Sequence, residues 1–372
     1  MRIGHTDVKR METAMLTRYL PFLFALFSAF SLHAAEPAPA AKTGAYYGAK
    51  STEYPAWFKD SFLHLREDID EARKNGKRVI LMFTQDGCPY CSALVERNLS
   101  QREIESTMRE KFDVVVINIW GDKELVGLDG KTLTEKDYSA AQKIQFTPSL
   151  VFFDESGKTL LRLNGYVPPA RLQAALDWVG GRHENKVAFR DFVAAREVPK
   201  QASGEMIKQD FFLKNATDLR RLGKQPKPLA VFFEQKDCPD CEVLHRRVLA
   251  DPETRAMIAK FDNVQLDMWS RAVITTPEGK RMPVRDWVRQ LGVNFAPGIV
   301  LFDTGGKEVI RWESSFRVFH TLGMFDYVES KAYREEPSFQ RFLAAKTEHI
   351  REAGRDVNIW RYADEPVAAP TR

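Results

Sequence analysis

The chain repeats itself. From about Ser51 onward the sequence can be laid over itself with an offset near 150 residues. Cys88 and Cys91 fall on Cys238 and Cys241, and Trp120 of INIW falls on Trp269 of LDMW. Pro148 in FTPSLVFFDESGK falls on Pro297 in FAPGIVLFDTGGK, and Arg162 falls on Arg311. The trailing segment recurs as well, as AFRDFVAAR at 188–196 and SFQRFLAAK at 338–346. Register held across cysteines, tryptophans, prolines and a tail is not chance. A period this long is a whole duplicated domain rather than a solenoid repeat, and 372 residues suit two domains of roughly 150 each.

Within each copy the order of elements is legible. Phe62, Leu63, Leu65, Ile69 and Ala72 set out a helical face that stops at Asn75-Gly76. RVILMFT at 78–84 is a compact apolar strand, followed by the first cysteine pair, a helix over 92–99 and a helical stretch over 101–111. DVVVINIW at 113–120 is a second buried strand, and a helix covers Thr134 to Lys143. SLVFFD (149–154) and TLLRL (159–163) flank a turn at Glu155-Ser156-Gly157 and read as a hairpin. A closing helix starts at Pro168 or Pro169 and runs to Val179. The second copy offers PLAVFFE, NVQLDMW, GIVLFD and EVIRWES as its strands. The succession β-α-β-α-β-β-α predicts an α/β fold: two tandem domains, each a central mixed β-sheet flanked by helices. The expected division is 51–197 and 205–362, with a soft junction near 197–204 and a tail over 363–372.

The first 35 residues differ in character. Lys9, Arg10 and Arg18 precede an apolar run from Tyr19 to Leu32 that ends at His33-Ala34-Ala35. That run is short for a membrane span and fits a secretory signal, with cleavage after Ala34 or Ala35; an uncleaved anchor is the alternative. Met11 or Met15 offers another start, and residues 36–50 form a flexible lead-in, beginning EPAPAA. The expected mature protein is exported, periplasmic and soluble. Its composition, 44% hydrophobic and 28% charged, is that of an ordinary globular protein. A net charge of +4, with basic and acidic residues interleaved, gives no basic stripe and argues against a nucleic-acid partner.

The four cysteines occur as two close pairs, which do little to restrict an unfolded chain. Redox chemistry or metal binding explains such pairs better than structural stapling. Each first cysteine follows a strand, and each second cysteine lies inside the next helix. Cys88 and Cys238 therefore start helices, where unpaired N–H groups and the dipole favour a thiolate, and both sulfurs are expected to be exposed. Pro89 and Pro239 suit the first helical position, and Cys91 and Cys241 come one turn later, placed to resolve a mixed disulfide.

These features resemble the thioredoxin-fold family, and within it the periplasmic SoxW-type thioredoxins associated with sulfur oxidation. The stretches that carry the resemblance are VILMFTQDGCPYCSALVERNL (79–99), DGKTLTEKDYSAAQKIQFTPSLVFFDESGK (129–158) and their second-copy counterparts. The resemblance implies that Thr147-Pro148 and Ala296-Pro297 are cis-proline loops beside the cysteines. They would shape a substrate groove with Pro89, Tyr90, Pro239 and Asp240. It also favours a reductase recharged by a membrane electron donor, with an isomerase or an oxidant as the open alternatives, acting on protein or small sulfur-compound thiols and disulfides with no cofactor beyond its redox-active disulfides. The family's buried aspartate, six residues before the first cysteine, is absent: Met82 and Phe232 stand there. Pro-Tyr at 89–90 is the glutaredoxin-like form of the dipeptide, without a specific sign of glutathione binding.

The two sites differ in charge. Thr84, Gln85, Asp86 and Tyr90 surround the first pair, whereas Glu234, Asp237, Asp240 and Glu242 surround the second, offset by Lys236. Negative neighbours disfavour a thiolate, so Cys88 is expected to be the more reactive thiol and the second site to have the lower potential. Two readings compete with redox catalysis. A single zinc site made by all four cysteines would require the pairs to meet across domains, with His245, read as a partly exposed helical residue, as the nearest imidazole. A non-catalytic binding scaffold is the other. Trp120 and Trp269 are expected at a core or rim.

Overall fold

Residues 42–197, 204–221, 227–313 and 316–367 are described in a computed structural model. The proposed signal and most of the expected junction lie outside them. In the first repeat four strands form a sheet in the order Phe112–Asn118, Arg78–Thr84, Ser149–Phe153, Thr159–Asn164. The first two run parallel and the remaining neighbours antiparallel. The second repeat has the same order with Asp262–Asp267, Leu229–Glu234, Gly298–Phe302 and Glu308–Glu313.

Each central strand is buried on both faces, which explains its unbroken apolar sequence. Side chains alternate between the two faces. Ile80 and Met82 pack with Leu94, Leu99 and the closing helix Pro169–Gly180. Val79, Leu81 and Phe83 pack with the opening helix Leu65–Lys74 and Tyr138. Two mixed sheets with helices on both faces are the predicted architecture.

Local departures have local causes. Phe62, expected on the buried face of the opening helix, is 94% exposed. The chain turns at Leu63 with φ 60° and the helix starts only at Leu65. Within the expected helix over 92–99, Leu94–Leu99 is π-helical, and Leu244–Val248 repeats this in the second copy. Short hairpins Glu124–Val126/Thr132–Thr134 and Val273–Thr275/Arg281–Pro283 add to the expected elements.

Two expectations about the ends need correction. The flexible lead-in over 36–50 does not hold for 42–50, because Tyr46–Tyr47 pairs in parallel with Val357–Asn358. Gly44 N also donates to Arg351 O and Ala45 N to Asp356. The tail over 363–372 is tied down at its start: Ala363 N donates to Arg247 O and Asp364 pairs with Arg247.

The two repeats exchange equivalent phenylalanines. Phe295 of the second repeat joins the core of the first, edge-on to Phe189 at 5.8 Å. Phe146 of the first joins the core of the second, edge-on to Phe339 at 5.5 Å. Phe189 and Phe339 open the trailing helices Phe189–Glu197 and Phe339–Glu352, so the repeated tail packs between the domains.

Candidate functional site

In each repeat the central strand ends just ahead of the first cysteine, and proline occupies the first helical position. Cys88 and Cys238 are N-cap residues with extended backbone. Their Sγ atoms accept hydrogen bonds from Cys91 N at 3.0 Å and Cys241 N at 3.1 Å. A donor aimed at sulfur at a helix start stabilises the thiolate form in the reduced protein. Each pair is closed on itself as a disulfide, Cys88–Cys91 and Cys238–Cys241. Thr147–Pro148 and Ala296–Pro297 are cis, and Thr147 Oγ1 lies 3.5 Å from Cys88 Sγ.

The sites are not equally open, and the expectation that both leading sulfurs are exposed fails at the first. Cys88 is 1% exposed and Pro89 and Tyr90 are buried, whereas Cys238 and Asp240 are only partly buried and Pro239 is exposed. The cover over Cys88 comes from distant sequence. Val357 and Ile359 pack with Cys88, Tyr90 and Cys91. Trp360 lies 4.4 Å from Tyr90, and His320 of the second repeat meets Tyr90 edge-on at 5.2 Å. Tyr90, expected to face a substrate groove, lies among aromatic rings and lines a cavity beside Cys88. Burial raises its phenol above the usual range and pushes the imidazole of His320 down to about 3, with Arg317 acting in the same direction.

At the second site the variable residue of the cysteine motif also meets the other repeat. Arg171 in the closing helix of the first repeat pairs with Asp240 at 3.0 Å and donates to Ala296 O at 3.0 Å. Its guanidinium lies over Phe295, 4.8 Å from the ring centre. Arg171 and His320 occupy matching positions in the repeat, as do Asp240 and Tyr90. Each closing helix therefore touches the variable residue of the opposite motif. Sequence reasoning missed both contacts, although the acid–base match of Arg171 with Asp240 was a signal.

Another acid of the second site, Glu234, faces away from solvent. Glu234 is fully buried and hydrogen-bonded to His245 at 2.9 Å and Gln265 at 2.9 Å. His245, expected to be partly exposed, is buried because the carboxylate lies beneath its helix. Arg171 thus offsets Asp240, one of the acids expected to disfavour a thiolate at Cys238, and Cys88 is the more buried of the two leading cysteines.

The matched tryptophans sit at the rim. Trp120 Nε1 donates to Gln85 at 3.1 Å and Trp269 Nε1 to Gln235 at 2.9 Å. Arg341 and Arg190, from the trailing helices, cover Trp120 and Trp269 respectively. Arg311 pairs with Glu308, and Arg162 donates to Gln142 O. Among the described residues there is no cluster of His, Cys, Asp or Glu arranged to hold a metal ion, and no helix is long and apolar enough to cross a membrane.

A mixed four-stranded sheet with a Cys-Pro-x-Cys helix start beside an X-Pro loop, built twice, defines a thioredoxin-type fold with paired redox cysteines. The chain belongs to the thioredoxin-like domain family, whose model matches residues 65–180 and again 216–327. Among solved structures it is similar to a thioredoxin-fold protein from Helicobacter pylori, with 24% identity over 37% of this chain and 94% of that one, and a TM-score of 0.30. It is also similar to a thioredoxin from Thermus thermophilus (22% identity, 31% of this chain, 83% of that one, TM-score 0.25). The C-terminal domain of DsbD from Neisseria meningitidis, in its oxidised form, matches at 18% identity over 31% of this chain and 92% of its own, with a TM-score of 0.24. No curated protein matches.

Proposed function

We propose that this protein is an exported thiol–disulfide oxidoreductase acting as a reductase through a mixed disulfide. In the reduced protein, the thiolate of Cys238 or Cys88 attacks one sulfur of a substrate disulfide and releases the other as a thiolate that takes a proton from solvent. Cys241 or Cys91 then attacks the leading sulfur, closing the protein disulfide and releasing the second substrate thiol. Two electrons pass to the substrate. A membrane electron donor that returns them accords with the SoxW-type resemblance, and the apolar run Tyr19–Leu32 supports export to a periplasm.

One observation carries the reading: in both repeats the leading sulfur accepts a hydrogen bond from the resolving residue's N–H at a helix start beside an X-Pro loop. Insulin reduction by dithiothreitol tests it. Wild-type protein is expected to accelerate precipitation, and Cys238→Ser to lose most of that acceleration. No acceleration over dithiothreitol alone would overturn it. Burial of Cys88 favours the rival reading, a non-catalytic binding module, for the first repeat. Zinc analysis of the purified protein tests the metal-binding alternative in the same preparation.

A further inference from the structure

A cavity of about 420 Å³ lies against the first cysteine pair, with Cys88, Pro89, Tyr90 and Thr147 in its wall. Part of its wall comes from outside the first repeat: Phe319 and His320 from the second repeat's closing helix, Leu343 from the trailing helix Phe339–Glu352, and Ile359 beyond it. We propose that this cavity makes the Cys88–Cys91 site a site for low-molecular-mass thiols and disulfides, closed to protein substrates. The proposal rests on the oxidoreductase reading and names the substrate class of one of its two sites.

Space sets the substrate class. A volume of 420 Å³ falls in the range of small-molecule pockets. A protein disulfide arrives on a chain that must both enter and leave, and its backbone needs a free edge beside the X-Pro loop. That edge is taken. Gln340 Nε2 donates to Gln145 O at 2.9 Å, and Phe339 N donates to Gln145 Oε1 at 2.8 Å. Gln145 Nε2 in turn donates to Pro337 O at 3.1 Å. The opposite side is closed by the pairing of Tyr46 with Val357 and by Trp360 over Tyr90. Making room for a polypeptide would break these contacts together, whereas a small disulfide fits the cavity that Cys88 lines. Among the described residues the second site has no such roof: Cys238 is partly exposed and Pro239 lies on the surface.

The chemistry balances within the site. Reduced Cys88, as thiolate, attacks R–S–S–R to form Cys88–S–S–R and RS⁻, which is protonated from solvent. Cys91 displaces the second RS⁻ and closes Cys88–Cys91, so the small disulfide is reduced by two electrons and the protein pair is oxidised by two. In reverse, two small thiols reduce the Cys88–Cys91 disulfide.

The test uses full-length double variants, one keeping only the first site (Cys238→Ser with Cys241→Ser) and one keeping only the second (Cys88→Ser with Cys91→Ser). Each is reduced, freed of reductant, and mixed with hydroxyethyl disulfide or with insulin while its oxidation is followed. The first-site protein is expected to favour the small disulfide over insulin at least about tenfold more strongly than the second-site protein does. Adding Leu343→Trp, which fills the cavity, is expected to slow the first-site reaction with the small disulfide several-fold. An insulin rate at the first site matching that at the second, relative to the small disulfide, overturns the proposal. So does a first site that reacts with neither probe while the second reacts. Failure of both proteins with both probes overturns the oxidoreductase reading itself.

Discussion

Arg171 of the first repeat lies 3.0 Å from Asp240, the variable residue of the second repeat's cysteine motif, so the second redox site is completed by the first domain. The same guanidinium holds the carbonyl of Ala296, the residue before Pro297. A cation there offsets the carboxylate that would otherwise oppose a thiolate at Cys238. Arg171→Gln is expected to raise the Cys238 thiol pKa by roughly one unit and to lower the potential of the second pair. Ultraviolet thiolate absorbance against pH and equilibration with glutathione measure the two effects. A restored value in Arg171→Gln combined with Asp240→Asn would show that charge, not packing, is responsible.

Trp360 packs on the cluster that holds Cys88. It covers Tyr90 at 4.4 Å, beside a sulfur that is 1% exposed. In reduced native protein, Cys238 is expected to react with a protein-sized maleimide conjugate at least about ten times faster than Cys88, since such a reagent needs an exposed thiolate. Trp360→Ala should narrow that gap by speeding Cys88. Peptide mapping after timed labelling reads both rates, and equal rates in the wild type would refute the occlusion.

The exchanged phenylalanines tie the two domains into one unfolding unit. Phe295→Ala or Phe146→Ala is expected to cost about 3–5 kcal/mol, as for other buried aromatic truncations. Because each ring belongs to the opposite core, either change should destabilise both repeats. Urea unfolding followed by one probe in each domain checks this, and loss confined to the mutated repeat would contradict it.

Glu234 and His245 are buried together. His245→Ala leaves the carboxylate with Gln265 alone, and the expected cost is about 3 kcal/mol. Replacing both residues by leucine should recover most of that loss, since no buried charge then remains. Thermal denaturation of the single and double variants separates a structural pair from one needed only for activity.

His320 gives the fold a pH dependence with a definite sign. Its imidazole is pushed from 6.5 down to about 3 by burial. As pH falls through 6.5 the unfolded chain binds a proton that the folded chain refuses until about 3. Stability is therefore complete above 6.5 and declines across that window. His320→Gln should flatten this part of the stability–pH curve in urea titrations, and an unchanged slope would exclude His320 as the source.

The repeat register, the strand cores and the placement of both cysteine pairs at helix starts were legible because each depends on local pattern. RVILMFT had to be a buried strand, and Pro89 and Pro239 had to stand where a missing N–H costs little. The exposure of Phe62 was not legible, because a single positive φ at Leu63 delays the helix. Nor was the burial of His245, whose partner, Glu234, lies on a neighbouring strand rather than on its own helix.

Sequence by itself determined two mixed-sheet domains, each with a paired-cysteine helix start, since strand burial and helix capping are decided by residues close in the chain. Only the tertiary structure decided that the two sites differ in access. Val357, Ile359 and Trp360 lie more than 250 residues beyond Cys88, and they are held over it by the pairing of Val357–Asn358 with Tyr46–Tyr47 and by packing on Tyr90. No local pattern encodes that contact, because burial of a sulfur by a distant segment is a property of packing between domains.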